Sequence, residues 1–235
     1  MKKMIIASTS TVYGSGYLEY LMPELKAFFK PAIKILFIPY ARPGGISYNE
    51  YTKMVTKAFS KIDIDIAGIH TFSDQKKAIE NAEAIFTGGG NTFVLVTELY
   101  RQGLMNILSD KIEQGTYYLG TSAGSNICGL NMQTTNDMPI VYPPSYKTLG
   151  SIPFNINPHY LDPDPNSKHK GETRETRLNE FHAFNSTPVL GLREGSWLAV
   201  NGDEIILQGN LTARLFKKGY KPSEIEPGLI SPYFS

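Results

Sequence analysis

The sequence has almost no cysteine, no excess of either charge and no long hydrophobic run. The single cysteine, Cys128, excludes an internal disulfide and a cysteine-based metal cluster. The 23 basic and 22 acidic side chains leave a formal charge of +1, so nucleic acid is not expected as a partner. The start, MKKMIIASTS, carries too short an apolar run for a signal-peptide core or a membrane span. We therefore expect a cytoplasmic protein that does not bind membranes.

The chain does contain regularly alternating patterns, and its 235 residues favour one catalytic domain over residues 1–235. Apolar, β-rich runs cover residues 3–9, 33–40, 62–70, 82–90 and 116–124. Helical spacing covers residues 50–59, 74–81, 91–113 with a break near Gly103, and 172–184. This alternation predicts an α/β fold with a mostly parallel, doubly wound sheet and flanking helices. Residues 131–171 are expected to form mostly loop and short strand, followed by short C-terminal strands within 188–217.

One serine stands in a pattern typical of a nucleophile. In YYLGTSAGSN, Ser122 follows a predicted strand and precedes a helix-like run, and residues 120–124 fit GxSxG. Small flanking residues permit the cramped turn that raises a serine hydroxyl above a sheet edge. The backbone N–H of Ala123 would then point at the reacting centre. The alternative interpretation is an ordinary tight turn between a strand and a helix.

A serine nucleophile needs a base, and the chain has four histidines. His159 is the best candidate by position, because it lies in a long loop region that can fold over the carboxyl ends of the strands. The other three follow a strand (His70), lie in the basic SKHK segment (His169), or sit on a helix (His182). Cys128 is expected to be buried on a helix rather than reactive.

A glycine-rich turn, FTGGGNTF, is a second candidate for binding. Gly88 to Gly90 follow a predicted strand, and Asn91 begins a helix. Such a turn lets backbone N–H groups approach a phosphate or an oxyanion. Phe93 occupies the last position of GxGxxG, so a dinucleotide site is poorly supported.

Six collinear motifs resemble those of the peptidase E, or aspartyl dipeptidase, family: FTGGGNTF, GTSAGSN, TTNDMPIV, NPHY, GETR and GLREGSW. The resemblance implies a cytoplasmic serine peptidase that cleaves dipeptides with an N-terminal aspartate. It also implies a fold similar to the class I glutamine amidotransferases. No metal or cofactor is required, the partner is a small peptide, and a monomer or small homo-oligomer is expected.

The resemblance also implies roles for individual residues. Ser122 matches the nucleophile and His159 the general base, and the N–H groups of Gly90 and Ala123 match the oxyanion hole. Arg174 matches the arginine that binds the aspartate side chain, and Asn91 is a further candidate for substrate binding.

Two carboxylates match the family's acidic positions, Asp137 and Glu194. Either could orient the imidazole, and we prefer Asp137 because it lies in the longest motif. Arg177, three residues after Arg174, is expected on a solvated helix face.

The chain departs from the family at two positions. Thr121 stands where tryptophan is frequent, and Arg193 where proline is frequent. Thr121 can change the pocket wall, so the substrate's second residue is not predicted. Two alternatives for the function stay open: a related serine hydrolase acting on β-aspartyl, cyanophycinase-like peptides or on esters, and a non-catalytic amidotransferase-like ligand-binding module.

Overall fold

The computed structural model describes residues 1–29, 34–164, 166, 168 and 171–234. Its helices are α1 (Met22–Phe28), α2 (Tyr48–Phe59), α3 (Gln75–Glu80), α4 (Thr92–Arg101), α5 (Met105–Glu113), α6 (Ala123–Asn126) and α7 (Arg174–Phe184). Its strands are β1 (Lys3–Ala7), β2 (Lys34–Ile38), β3 (Asp65–Gly68), β4 (Ala84–Thr87), β5 (Tyr117–Thr121), β6 (Asn155–Pro158), β7 (Val189–Leu192), β8 (Trp197–Asn201), β9 (Glu204–Gln208), β10 (Ala213–Phe216), β11 (Ser223–Ile225) and β12 (Gly228–Leu229). No helix in the described part of the chain is long and apolar enough to cross a membrane.

The larger sheet has the strand order β12-β9-β8-β1-β5-β4-β2-β3. Strands β1, β5, β4, β2 and β3 pair in parallel, and β8, β9 and β12 extend the sheet antiparallel. Because the parallel strands carry helices on both faces, β4 is buried along its whole length, which is why its sequence, AIFT, shows no polar alternation.

Two apolar layers cover the larger sheet. Helices α1 and α2 pack on one face, where Leu25 and Val55 contribute to the core. Helices α3, α4 and α5 pack on the other face, where Leu95 and Leu108 contribute. The parallel part of the sheet is therefore doubly wound, and the carboxyl ends of β4 and β5 lie side by side at one edge.

A smaller sheet, with the order β11-β10-β7-β6, packs on the α4 side of the larger one. Strands β6 and β7 pair in parallel, with Pro158 opposite Leu192. This pairing matters for function because the segments that follow the two strands leave the sheet together.

The predicted α/β fold with a mostly parallel sheet and flanking helices is confirmed. The five predicted strands are present, and the helical region 91–113 breaks at Gly103, whose φ is 67°. Helix α1 and strands β11 and β12 were not predicted. Proline lies in the first turn of α1, where its missing N–H costs nothing, so it does not stop the helix there.

Candidate active site

Ser122 lies in a strained turn between β5 and α6. Its backbone has φ 53° and ψ −110°, a conformation that residues with a side chain rarely adopt. Both glycines of the motif are needed for packing. A Cβ on Gly120 would overlap the carbonyl of Gly124, and a Cβ on Gly124 would overlap the carbonyl of Thr87. The GxSxG pattern therefore forms a nucleophile elbow at the carboxyl end of β5.

His159 reaches the serine from the end of β6. Its Nε2 lies 2.9 Å from Ser122 Oγ. The backbone of His159 also has a positive φ, 53°, and its N–H donates to Ser8 Oγ at 2.9 Å. Ser8 is fully buried and donates in turn to the carbonyl of Leu192 at 2.7 Å. Sequence reasoning missed Ser8, although a hydroxyl residue directly after β1 lies at the edge where the site forms.

Glu194 completes a chain of hydrogen bonds with the histidine and serine. Its Oε1 lies 2.6 Å from His159 Nδ1. The two side chains are 35% (His159) and 51% (Glu194) exposed, so water reaches this pair. A carboxylate at Nδ1 favours the tautomer that carries its proton there and leaves Nε2 to accept the proton of Ser122.

The preference for Asp137 as the orienting acid is wrong. Its Oδ2 accepts hydrogen bonds from the N–H of Thr92 at 2.7 Å and from Thr135 Oγ1 at 2.8 Å. Asp137 is thus bound to the first turn of α4, where the unpaired N–H groups and the helix dipole favour a carboxylate. The imidazole of His159 is paired with Glu194 instead.

The glycine turn after β4 lies directly against Ser122. A Cβ on Gly89 would come within 2.9 Å of Ser122 Cβ, and a Cβ on Gly90, whose φ is 145°, would overlap the carbonyl of Ala41. Within the described residues, the N–H groups of Gly90 and Ala123 donate to no protein acceptor. Both groups therefore remain available for a developing negative charge on a substrate oxygen.

Asn91 has a structural role in this turn. Its Oδ1 accepts from the N–H of Val94 at 3.1 Å and caps α4, and its Nδ2 donates to the carbonyl of Met138 at 2.9 Å. The second proton on Nδ2 of Asn91 takes part in neither of these hydrogen bonds. Substrate binding by Asn91 stays a prediction.

Arg174 is the first residue of α7 and is partly buried. Burial and then the neighbouring Arg177 lower the pKa of Arg174 from its ordinary value, and Asp137 acts in the opposite direction. A cleft of about 390 Å³ lies alongside Arg174. Arg177 pairs with Glu172 at 3.6 Å, and both side chains are exposed, as expected for a solvated helix face.

The other reactive candidates lie away from this hydrogen-bonded chain. His70 Nε2 lies 2.8 Å from Asn49 Oδ1, and His182 is buried on α7. His169 lies outside the described residues. Cys128 is buried, and burial raises the pKa of its thiol, which makes it unreactive.

Thr121, the first departure from the family pattern, is fully buried at the end of β5. Its hydroxyl oxygen is buried and has no hydrogen-bond partner among the described residues. The Thr121 side chain is therefore not exposed on the wall of a substrate pocket.

Arg193, the second departure, precedes Glu194 and is 15% exposed. It donates to both oxygens of Asp162 at 2.8 Å, to the carbonyl of Thr212 at 2.7 Å and to Glu224 at 2.8 Å. Through these bonds it joins the end of β7 to the segment after His159 and to the edge of the smaller sheet.

Comparisons with known proteins find similar peptidases. The model of peptidase family S51 matches residues 4–208. Peptidase E of Streptomyces coelicolor is 48% identical over 225 residues, covering 96% of this chain and 91% of the relative. A Drosophila melanogaster protein named probable alpha-aspartyl dipeptidase is 44% identical over 229 residues, covering 96% of this chain and 94% of the relative.

Solved structures show the same fold at low sequence identity. A Listeria monocytogenes protein described as a candidate peptidase E has a TM-score of 0.67 and 23% identity, over 89% of this chain and 98% of that one. A peptidase from an acI-B1 actinobacterium has a TM-score of 0.63 and 16% identity, over 96% and 94% of the two chains.

Proposed function

The chain belongs to peptidase family S51 and is a serine peptidase, and from this premise we propose that it hydrolyses Asp-Xaa dipeptides with Ser122 as the nucleophile. The observation that supports this assignment most directly is the continuous chain from Ser122 through His159 to Glu194, with distances of 2.9 and 2.6 Å. A hydroxyl, an imidazole and a carboxylate in this order form the arrangement that activates a serine.

The acylation step uses each of these groups in turn. His159 Nε2 removes the proton from Ser122 as Oγ attacks the carbonyl of the aspartyl residue. The N–H groups of Gly90 and Ala123 bind the oxyanion of the tetrahedral intermediate, and Glu194 stabilises the imidazolium. His159 then gives the proton to the leaving amine, and the second amino acid departs.

Deacylation repeats the sequence with water in place of the hydroxyl. His159 accepts a proton from the water, which attacks the aspartyl ester, and the second tetrahedral intermediate releases aspartate. The proton returns to Ser122 Oγ, and the enzyme regains its starting state.

We assign recognition of the aspartyl residue to Arg174 and Asp137, whose charges are opposite to those of the substrate groups that they would bind. Arg174 offers a planar guanidinium for the side-chain carboxylate, a geometry that permits two parallel hydrogen bonds. Asp137 uses Oδ2 to hold the first turn of α4, and its other oxygen can accept from the substrate's α-ammonium group. This second role gives the carboxylate near Arg174 a part in substrate binding without making Asp137 part of proton transfer.

A substrate comparison tests the assignment. Release of leucine from Asp-Leu is measured against Asn-Leu, a β-aspartyl dipeptide and a simple ester, with Ser122→Ala as the inactive control. We expect Asp-Leu to give the largest kcat/KM, since only it presents the α-peptide bond together with the side-chain charge. A preference for the β-aspartyl link or the ester would replace the dipeptidase assignment with a related hydrolase. Absence of any turnover, with substrate still bound, would indicate a binding module.

The cytoplasmic location, the single domain over residues 1–235 and a monomer or small homo-oligomer stay predictions. Cell fractionation tests the first, limited proteolysis the second and sedimentation analysis the third.

A further inference from the structure

The arginines among the described residues differ in whether they form an ion pair. Most form an ion pair with a carboxylate, namely Arg101, Arg177, Arg193 and Arg214. Arg42 and Arg174 form no ion pair with any described residue. Arg42 lies beside the glycine turn after β4, and Arg174 lies near Asp137, which binds the first turn of α4. Since a half-buried cation without a counter-charge costs free energy, two such groups at one site indicate anionic ligand groups there.

Arg42 follows β2 and lies next to the oxyanion turn. The preceding carbonyl, that of Ala41, accepts the N–H of Asn91 at 2.7 Å and fills the space where Gly90 would carry a Cβ. The guanidinium carbon of Arg42 lies 5.0 Å from the centre of the Tyr51 ring.

Tyr51 connects Arg42 with the nucleophile. Its hydroxyl donates to the carbonyl of Gly89 at 3.2 Å, and Gly89 packs on Ser122. The ring of Tyr51 also meets the ring of Tyr17 edge to face, with centroids 6.4 Å apart. A series of contacts through Tyr51 and Gly89 therefore connects Arg42 with Ser122.

Two buried polar atoms at this place have no partner among the described residues. They are Nε of Arg42 and the hydroxyl oxygen of Tyr17, whose polar neighbour, the Tyr51 side chain, does not meet it with ordinary hydrogen-bond geometry. Buried donors are rarely left without an acceptor, so a pair of them around one aromatic ring indicates a site for an acceptor from outside the chain.

The two unpaired arginines lie on opposite sides of the elbow. Arg174 is close to Asp137, which binds α4 on one face of the larger sheet, and Arg42 stacks on Tyr51 of α2 on the other face. An Asp-Xaa dipeptide carries two carboxylates, one on the side chain of its first residue and one at its C-terminus. They lie on opposite sides of the scissile bond.

We propose that Arg42, with the Tyr17 hydroxyl, binds the C-terminal carboxylate of the dipeptide while Arg174 binds the aspartyl side chain. This assignment rests on the proposed dipeptidase function. The C-terminal carboxyl carbon of a dipeptide lies only about 3 to 4 Å from the scissile carbonyl carbon, so its counter-charge must lie within about one residue of the oxyanion turn. Arg42 meets that condition, and it would restrict the enzyme to dipeptides because a longer peptide has no carboxylate there.

The test compares Asp-Leu with Asp-Leu-amide, which differs only in the C-terminal charge. The wild-type enzyme should prefer Asp-Leu in kcat/KM by about 30-fold or more, the low end for a desolvated charge pair, because Arg42 is only half buried. Arg42→Met should lower kcat/KM for Asp-Leu by a similar factor and leave that for the amide unchanged. Arg42→Lys should retain part of the preference, because it keeps the charge but loses the planar fork.

Arg101→Met is the matched control, since Arg101 is exposed and pairs with Glu98 on the surface of α4. It should leave both substrates unchanged. Equal losses on Asp-Leu and its amide in Arg42→Met would show that Arg42 only supports Tyr51 and the glycine turn. A wild-type enzyme without preference for the free carboxylate would contradict the assignment even if no variant folds. If the wild type cleaves neither compound, the proposed function itself is wrong.

Discussion

Replacing Glu194 by Gln tests the orientation of the catalytic histidine with little change in volume. The carboxylate lies 2.6 Å from Nδ1 of His159. In the proposed mechanism it stabilises the imidazolium that forms when Ser122 attacks. A Gln amide can instead donate to Nδ1, which would leave the ring proton on Nε2, facing the serine that it should deprotonate. The substitution therefore removes a charge and favours the wrong tautomer.

The magnitude follows from the exposure of the pair. Two unit charges about 4 Å apart interact with about 1 kcal/mol in water and about 4 kcal/mol at the effective dielectric of a protein surface. The side chains of His159 and Glu194 are 35% and 51% exposed, so the loss lies between these limits. Each 1.4 kcal/mol in the activation free energy changes the rate by about 10-fold. With the tautomer effect included, we expect kcat to fall by about 10²- to 10³-fold. A fully buried triad loses about 10⁴-fold on the equivalent change.

Asp137→Asn is the matched comparison, because it also removes one carboxylate charge. Its amide oxygen can still accept from the N–H of Thr92, so α4 should keep its cap. We expect KM for Asp-Leu to rise and kcat to fall by less than about 10-fold, as for a lost contact with the substrate ammonium. Initial rates of leucine release, with thermal unfolding as a check on folding, measure both variants. A larger fall in kcat for Asp137→Asn than for Glu194→Gln would refute the assignment of Glu194.

The remaining predictions concern the nucleophile, the cation, the oxyanion turn and acid stability. Ser122→Ala should lower kcat by about 10⁴-fold or more with an unchanged melting temperature. A near-normal rate of this variant on Asp-Leu would exclude Ser122 as the nucleophile. Arg174→Met should lower kcat/KM for Asp-Leu by about 10²-fold and reduce the preference over Asn-Leu, whereas Arg177→Met, on the exposed pair, should change neither. Gly90→Ala should lower kcat by about 10²-fold or more, because the added Cβ overlaps a carbonyl and displaces an oxyanion donor; an unchanged rate would remove that N–H from the mechanism. Hydrogen bonds, chiefly the one from Arg193, lower the pKa of Glu224 from 4.5 to about 2. The contribution of Glu224 to stability is therefore present above about pH 4.5 and is lost as the pH falls towards 2. The difference in unfolding free energy between wild type and Glu224→Gln should shrink over that interval, and a constant difference would contradict the shift.

The strand-turn-helix geometry at Ser122 and the glycine turn beside it could be predicted because each is a local feature. The GTSAG and GGGN motifs each lie at the carboxyl end of a strand, and the parallel pairing of β4 with β5 brings Gly89 next to Ser122. A Cβ at Gly90, Gly120 or Gly124 would overlap a neighbouring carbonyl, so only glycine fits at these positions. The local sequence was therefore sufficient to predict the turn at Ser122 and the glycine turn.

The pairing of Glu194 with His159 could not be predicted, because it depends on a strand pair that is distant in sequence. β6 lies in the region expected to be mostly loop, and its pairing with β7 places Pro158 opposite Leu192. His159 and Glu194 then follow within two residues of the same edge. Motif length, the basis for choosing Asp137, contains no information about this register, whereas a predicted strand at residues 155–158 would have pointed to Glu194.

Arg193 gives the acid a different kind of support from the proline that the family pattern has there. A proline would hold the backbone before Glu194 through its fixed φ, which is independent of pH and salt. Arg193 holds the same place through charge-assisted bonds to Asp162 and Glu224, which lie on separate segments. Because Arg193 is 15% exposed, these bonds are screened less than an ordinary surface ion pair. They also bind the segment three residues beyond His159, so the arginine links base and acid where a proline would restrain the acid alone.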